Sequence, residues 1–364
     1  MSPAHSPALP PLYDGWMRSL LGESVVSEPA ATCSDCAMCV SGASNQQEGR
    51  AFGFKPDVKC CTYLPQLWNF LAGRVLADHS TDGAVGRRTL EARIAAGDGV
   101  TPLSVGRTRR YHLLYTSGAD GFGRAGSLRC PHYIEEGGLC GVWKHRESTC
   151  ATWFCKHTHG NLGFIFWDRL RDVLRCAEIA VARHAMVELD VGPRALAFLF
   201  PSRERANPSL TAEELDGVAS SEQRALAWGR WVGREHEFYQ RAAEIAAPLA
   251  WNDVAQLGGI ELALQLSLLR EAHAELRVTA PPARVRASAI TIASGVPHAA
   301  DHVVLGTYSA SNPLEVPAIL VECLPYFDGR PTAEAVDAIE AALGVRLEDD
   351  LVRKLFEYGL LTEG

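Results

Sequence analysis

The chain has 364 residues, 47% of them hydrophobic and 21% charged, with a formal net charge of −8. Such a length and apolar content suffice for two or three domains with real cores, and they exclude a disordered or supercharged chain. Residues 301–364 carry 12 acidic and 4 basic side chains while the first 300 balance at 31 and 31. The acidic end repels phosphate, which argues against a nucleic-acid reader.

In chain order, residues 1–29 read as a Pro-rich arm leading into a short helix around Trp16–Leu21. The opening "MSPAHSPALPPLYDGW" lacks a basic stretch followed by an apolar one, so no signal peptide is expected. No apolar run reaches the ~18 residues of a membrane span. A cytoplasmic protein with eleven reduced cysteines is therefore expected. "PQLWNFLAGRVLA" at 65–77 predicts a helix after Pro65, and "RRYHLLYTS" at 109–117 predicts a strand. From Asn161, Trp167, Leu170, Leu174 and Ala177 recur at helical spacing, which predicts one long helix. Helices continue over 211–275, the first opened by Thr211 with Glu214 three residues on, a capping-box pattern. Near Leu276 the texture turns β-like in "LRVTAPPARVRASAITI", which places a boundary there. Two final helices follow. The first opens at Pro331–Thr332, with Val336, Ile339 and Leu343 as its stripe and Gly344 at its end. The second carries Leu351, Leu355 and Phe356 before Gly359, with Asp349 and Asp350 complementing its N-terminal dipole.

Nine of the eleven cysteines fall in two windows. Cys33, Cys36 and Cys39, then Cys60 and Cys61, form the first; Cys130, Cys140, Cys150 and Cys155 form the second. Cys176 and Cys323 sit in helical patterns and read as core. Two residues between thiols let a tight turn aim both sulfurs at one ion, a device shared by zinc and iron–sulfur sites. Nine thiols exceed the four that one structural zinc needs, so two sites, or one site plus a cluster, are implied. In an extended chain the adjacent Cys60 and Cys61 would point apart and serve different metal atoms. That favours iron–sulfur, with [4Fe–4S] as the leading form, over Zn2+. Arg146, between two candidate ligands, could lower a thiolate pKa or donate to cluster sulfurs. His157 and His159 could join the metal or form a solvated turn. Trp143, Trp153 and Phe154 are candidates to wall the site from water. No phosphate loop, dinucleotide fingerprint, Ser-His-Asp arrangement or carboxylate pair is legible.

"CGVWKHRESTCATWFC", with Cys130-Pro131 before it, resembles the signature of the YkgJ-like cysteine-cluster family of zinc- or iron-chelating, Fe–S oxidoreductase-type proteins. Cys140, Trp143 (in place of Tyr), Arg146, Cys150 and Cys155 keep the family's spacing. Glu147, Ala151 and Phe154 depart from it, and the first-window cysteines are more widely spread. The resemblance spans roughly residues 30–160. It implies that Cys33, Cys36, Cys39, Cys60, Cys61, Cys130, Cys140, Cys150 and Cys155 hold metal. Some distant relatives with such clusters methylate flagellin lysines, but no methyl-donor site is legible here. "FDGRPT" before the final helix pair resembles PqqD-like winged-helix modules, which implies docking of a peptide or protein partner.

The fold expected is α-rich α+β: an arm (1–29), a loop-heavy, metal-stabilised Cys-cluster domain (30–160), a helical region (161–275) and an acidic winged-helix-like module (276–364). The function expected is an iron–sulfur protein in electron transfer or protein or peptide modification. The alternative is a zinc-stabilised interaction protein without chemistry of its own.

Overall fold

In a computed structural model the chain is described over residues 9–29, 31, 33, 36, 38–39, 53–118, 120–201, 209–217, 220–289 and 301–364, which include all eleven cysteines. The predicted Pro-rich arm lies, for residues 1–8, outside the described residues. Helix occupies 55% of the described residues and strand 9%, so the protein is α-rich α+β.

Helix α1 (Pro11–Leu21) starts on a proline, where no backbone donor is missed, and stops at Gly22 with φ 75°. Strand β1 (Leu67–Trp68) precedes α2 (Asn69–Ala77), so the helix expected after Pro65 begins only at Asn69. Helix α3 (Ala84–Ala96) leads to β2 (Ser104–Val105), which pairs antiparallel with β1. The strand expected at 109–117 is a helix, α4 (Arg109–Ser117). Thr108 caps it by accepting the N–H of Tyr111, and no residue of α4 is buried. Its aromatic and apolar residues therefore line no sheet face, and the cap outweighs their strand preference.

A hairpin, β3 (Tyr133–Ile134) with β4 (Leu139–Cys140), and a short helix α5 (Ser148–Thr152) complete the cysteine-rich part. The long helix α6 (Gly160–Glu188) follows as the sequence predicts. Its stripe of Phe166, Trp167, Leu170, Leu174 and Ala177 is essentially inaccessible. Each such large side chain contributes about 1.5–3 kcal/mol by leaving water. Helices α7 (Pro193–Leu199), α8 (Ala212–Leu215), α9 (Ser221–Trp228) and α10 (Glu235–Ala246) precede α11 (Trp251–Leu276), which lies along α6. The capping box at Thr211 is formed: its hydroxyl accepts the Glu214 N–H at 3.2 Å, and Glu214 accepts the Thr211 N–H at 3.0 Å.

After α11 the chain builds a second hydrophobic core around Val285, Phe327, Ile339 and Leu355, separate from the first. Its strands are β5 (Arg284–Ala287), β6 (His302–Leu305), β7 (Leu314–Pro317), β8 (Asp328–Pro331) and β9 (Leu361–Glu363). Residues 290–292 of the predicted β-like stretch lie outside the described residues. The sheet order is β8-β5-β9, antiparallel, with β6-β7 a separate hairpin. Helices α12 (Ile319–Cys323), α13 (Thr332–Leu343) and α14 (Asp349–Glu357) complete it. Gly344 closes α13 at φ 68°, as its place in the sequence implies. Among the described residues, no helix is long and apolar enough to cross a membrane.

Candidate functional site

The two cysteine windows are joined through backbone. The Cys130 N–H donates to the Cys61 carbonyl at 2.7 Å, and the β3–β4 register sets Cys140 opposite Tyr133. Lys59, held at φ 50° and 8% exposed, donates its ammonium to the carbonyls of Cys33 and Gly138, the latter at 3.2 Å. A Cβ on Gly138, whose φ is 61°, would stand 2.1 Å from that Nζ, so a side chain there would be strained and would displace the ammonium. The sequence reading passed over Lys59. A lysine immediately before two cysteines was the available signal.

Cys150 lies in the first turn of α5, whose N-terminus is capped by Glu147. That carboxylate accepts the N–H groups of Thr149 at 2.7 Å and Cys150 at 2.9 Å. Arg146 is 5% exposed, with its guanidinium 3.4 Å from the centre of the Trp143 ring. It stands within electrostatic range of Cys140, Cys150 and Cys33. Trp143 thus carries the arginine that faces the thiols.

Each of the nine window cysteines lies within electrostatic range of at least two others, in two overlapping sets. Cys61, Cys130, Cys140 and Cys150 form one set. Cys36, Cys39, Cys60 and Cys155 form the other, with Cys33 close to both. Cys60 and Cys61 do not sit in an extended segment as expected. They lie in a turn, and their thiols hydrogen-bond each other. Their further neighbours still differ, since Cys60 faces Cys36 while Cys61 faces Cys140, Cys130 and Cys150. A cavity of about 50 Å³ is lined by Cys33, Cys36, Cys60, Cys61, Cys140 and Cys155. Among the described residues, no group of three or more Cys, His, Asp or Glu side chains is arranged to hold a metal ion. The thiols are gathered but not closed on one point.

Burial pushes the thiols of Cys33, Cys140 and Cys155 up to about 11, and those of Cys130 and Cys39 up to about 12. Cys150 is raised by burial and then by the Glu147 carboxylate. Cys60 is raised first by its hydrogen bond with Cys61. Shifted in this direction the groups favour the neutral thiol, and a cation set among them would favour the thiolate. Cys176 packs at the edge of the first core and Cys323 is fully buried in the second, away from both sets.

His157 and His159 turn towards the C-terminal module. His157 Nδ1 lies 2.8 Å from the Tyr308 hydroxyl, and its carbonyl accepts from Asn312 Nδ2 at 3.2 Å. His159 pairs with Glu357 at 3.3 Å. The Ser311 hydroxyl donates to the Cys155 carbonyl at 2.9 Å. From the other side Glu28, fully buried, accepts the Thr158 N–H at 2.6 Å and the Trp167 indole N–H at 2.8 Å. Trp153 and Phe154 both line the thiol-lined cavity, but Trp153 is 49% exposed and also lines a neighbouring cleft, whereas Phe154 packs on Trp167 at 4.6 Å between ring centres.

A second buried carboxylate escaped the sequence reading. Glu178, 0% exposed on α6, accepts from the Tyr13 hydroxyl, Trp68 Nε1 (2.9 Å), Ser148 N–H (2.8 Å) and Ser148 Oγ (2.6 Å). Burial, reinforced by Glu147, pushes it up to about 8. It ties α1, β1 and the start of α5 to the central helix. No family model, curated protein or solved structure matches this chain, so its function has to be argued from this cysteine-lined site.

Proposed function

We propose that residues 30–160 bind an iron–sulfur cluster and that the protein serves electron transfer or the modification of a protein or peptide. The observation that carries this reading is the gathering of nine cysteines from two distant windows into mutual range, six of them on one cavity. The donor set fits such a group. Thiolate ligands bring negative charge, and buried Lys59 and Arg146 are the cations that offset it. Cys36, Cys39, Cys60 and Cys155, with Cys61, Cys130, Cys140 and Cys150 as the second set, would hold it, and Cys33 stands close to both. A bound cluster would supply one-electron chemistry, and the surrounding apolar shell would tune its potential. The C-terminal module is read as winged-helix-like and as the surface that docks the partner. Its antiparallel three-stranded sheet beside α13 and α14 supports this. Reduced thiols suit a cytoplasmic protein.

One observation favours the alternative of zinc without chemistry. Cys61, Cys130, Cys140 and Cys150 make a set of four, the number that one structural zinc takes. Anaerobic purification followed by absorption spectroscopy and iron, zinc and sulfide analysis separates the two readings. The expected result is a brown protein with iron and sulfide in matching amounts. A colourless protein holding zinc refutes the cluster.

A further inference from the structure

A second cavity beside the thiols is lined mainly by aromatic rings, with Cys155 at its edge. It has a volume of about 510 Å³, within the range of small-molecule sites. It meets the smaller thiol-lined cavity along Phe54, Trp153, Phe154 and Cys155, which line both. Two connected sets of rings face into it. In the first, Phe122 contacts Phe54 at 5.2 Å and Trp153 at 5.7 Å, both edge to face. In the second, His157, Phe164 and Tyr308 lie 5.7–6.0 Å from one another. Among the described residues no ring contact joins the two sets, and both line the same cleft.

Two of these rings are placed where no core explains them. Trp153 is 49% exposed and Phe164 is 44% exposed, and both line this cleft. Large aromatic surface left open in a concave site marks a binding place. The polar groups of the lining are mostly committed already. Asp168 pairs with Arg171 at 2.6 Å, the Thr152 hydroxyl donates to the Ser148 carbonyl, and the Ser311 hydroxyl donates to the Cys155 carbonyl. His157 is bonded to Tyr308. Among the described lining residues two aspartates, Asp120 and Asp168, stand with two arginines, Arg124 and Arg171, which together present no net charge. What remains is ring surface, which recognises other flat rings by offset stacking and edge-to-face contact.

We propose that this cleft binds a small molecule built on a planar fused two-ring system, stacked among Trp153, Phe122 and Phe164 and lying against Cys155. The inference stands on the ring geometry and holds whether or not a cluster is bound. Titration calorimetry of the full-length protein with 2,3-dimethyl-1,4-naphthoquinone, whose ring has no open position for thiol addition, adenosine and indole tests it. These three share the flat bicycle and separate a quinone, a purine and an amino-acid ring as its source. At least one should bind saturably with a Kd below about 1 mM. Trp153→Ala and Phe164→Ala, both at partly exposed positions, should weaken that binding about tenfold or more, and Trp153→Phe should retain it. Val187→Ala, at an exposed apolar position outside the cleft, should leave it unchanged. The proposal falls if none of the three binds, or if Trp153→Ala binds as the parent does. It falls equally if tetramethylammonium saturates the site while the bicyclic probes do not, because the rings would then be a cation cage.

Discussion

Replacing Glu178 by Gln changes one atom in a buried site, and the consequence can be worked from its four donors. The Oε1 atom takes the Tyr13 hydroxyl and the Ser148 N–H; the Oε2 atom takes Trp68 Nε1 and the Ser148 hydroxyl. Hydroxyls can turn and accept, but an indole or backbone N–H cannot. Either orientation of the glutamine therefore sets its NH2 against one donor that has nowhere to turn. The orphaned group costs about 1–3 kcal/mol. The charge term runs the other way. The Glu178 pKa in the fold is pushed up to about 8, above its value in the unfolded chain. Folding therefore takes up a proton over the interval between the two, and parent stability falls as pH rises through it. From about pH 5.5 to 7.5 that loss is on the order of 2 kcal/mol, and glutamine does not suffer it. Urea unfolding followed by tryptophan fluorescence should show Glu178→Gln clearly less stable at the lower pH and level with the parent, or above it, at the higher. A gap of constant size at both pH values would refute the reasoning, because Glu178 would then be ionised throughout.

Cys140→Ser and Cys150→Ser should lose metal, whereas Cys176→Ser and Cys323→Ser should keep the parent's content by elemental analysis; metal loss in either of the last two would redraw the ligand set. Lys59→Ala frees the carbonyls of Cys33 and Gly138, and metal release to a chelator should quicken by about tenfold or more, as when an outer-shell partner of a metal site is removed. Gly160→Ala puts a Cβ 2.7 Å from the Glu357 carbonyl oxygen at φ 51°. It should lower the melting temperature and raise hydrogen exchange in α14, with no change if that contact is dispensable. His159 is raised by its hydrogen bond to Glu357, so the stability from this pair is whole below the unfolded histidine pKa and disappears as pH rises through the folded one. A double-mutant cycle of His159→Gln and Glu357→Gln should give a coupling of no more than about 1 kcal/mol at pH 6 and a smaller one at pH 8.

The sequence discloses elements wherever a single period runs long enough. Trp167, Leu170, Leu174 and Ala177 mark α6, and Thr211 with Glu214 marks the start of α8, because those patterns are local. At 109–117 the same reasoning fails. Tyr111, Leu113, Leu114 and Tyr115 suit a strand, but they join none of the sheets formed among the described residues, and the Thr108 cap decides the outcome. Glu178 follows directly on Ala177 in the apolar stripe, a polar residue on a buried face, and could have been singled out. Its partners could not, since Tyr13 is 165 and Trp68 110 residues away. The cysteine windows were legible by spacing, but their meeting depends on the Cys61–Cys130 backbone bond and on Lys59, which spacing does not encode.

The two histidines carry this furthest. Read locally, His157 and His159 after Cys155 were ligands or a solvated turn. In the fold they belong to a six-residue bend, 155–160, gripped on one side by Glu28 and on the other by Tyr308, Ser311, Asn312 and Glu357. The same bend supplies Cys155 to the thiol-lined cavity and lines the aromatic cleft beside it. The module after residue 276 is thus not a detached appendage. Its loop at 308–312 finishes the wall of the site, and its last helix, α14, holds the bend in place. Any force on that module reaches Cys155 through two or three short hydrogen bonds. This is a physical link between the C-terminal module and the thiols, and neither window of cysteines could have announced it alone.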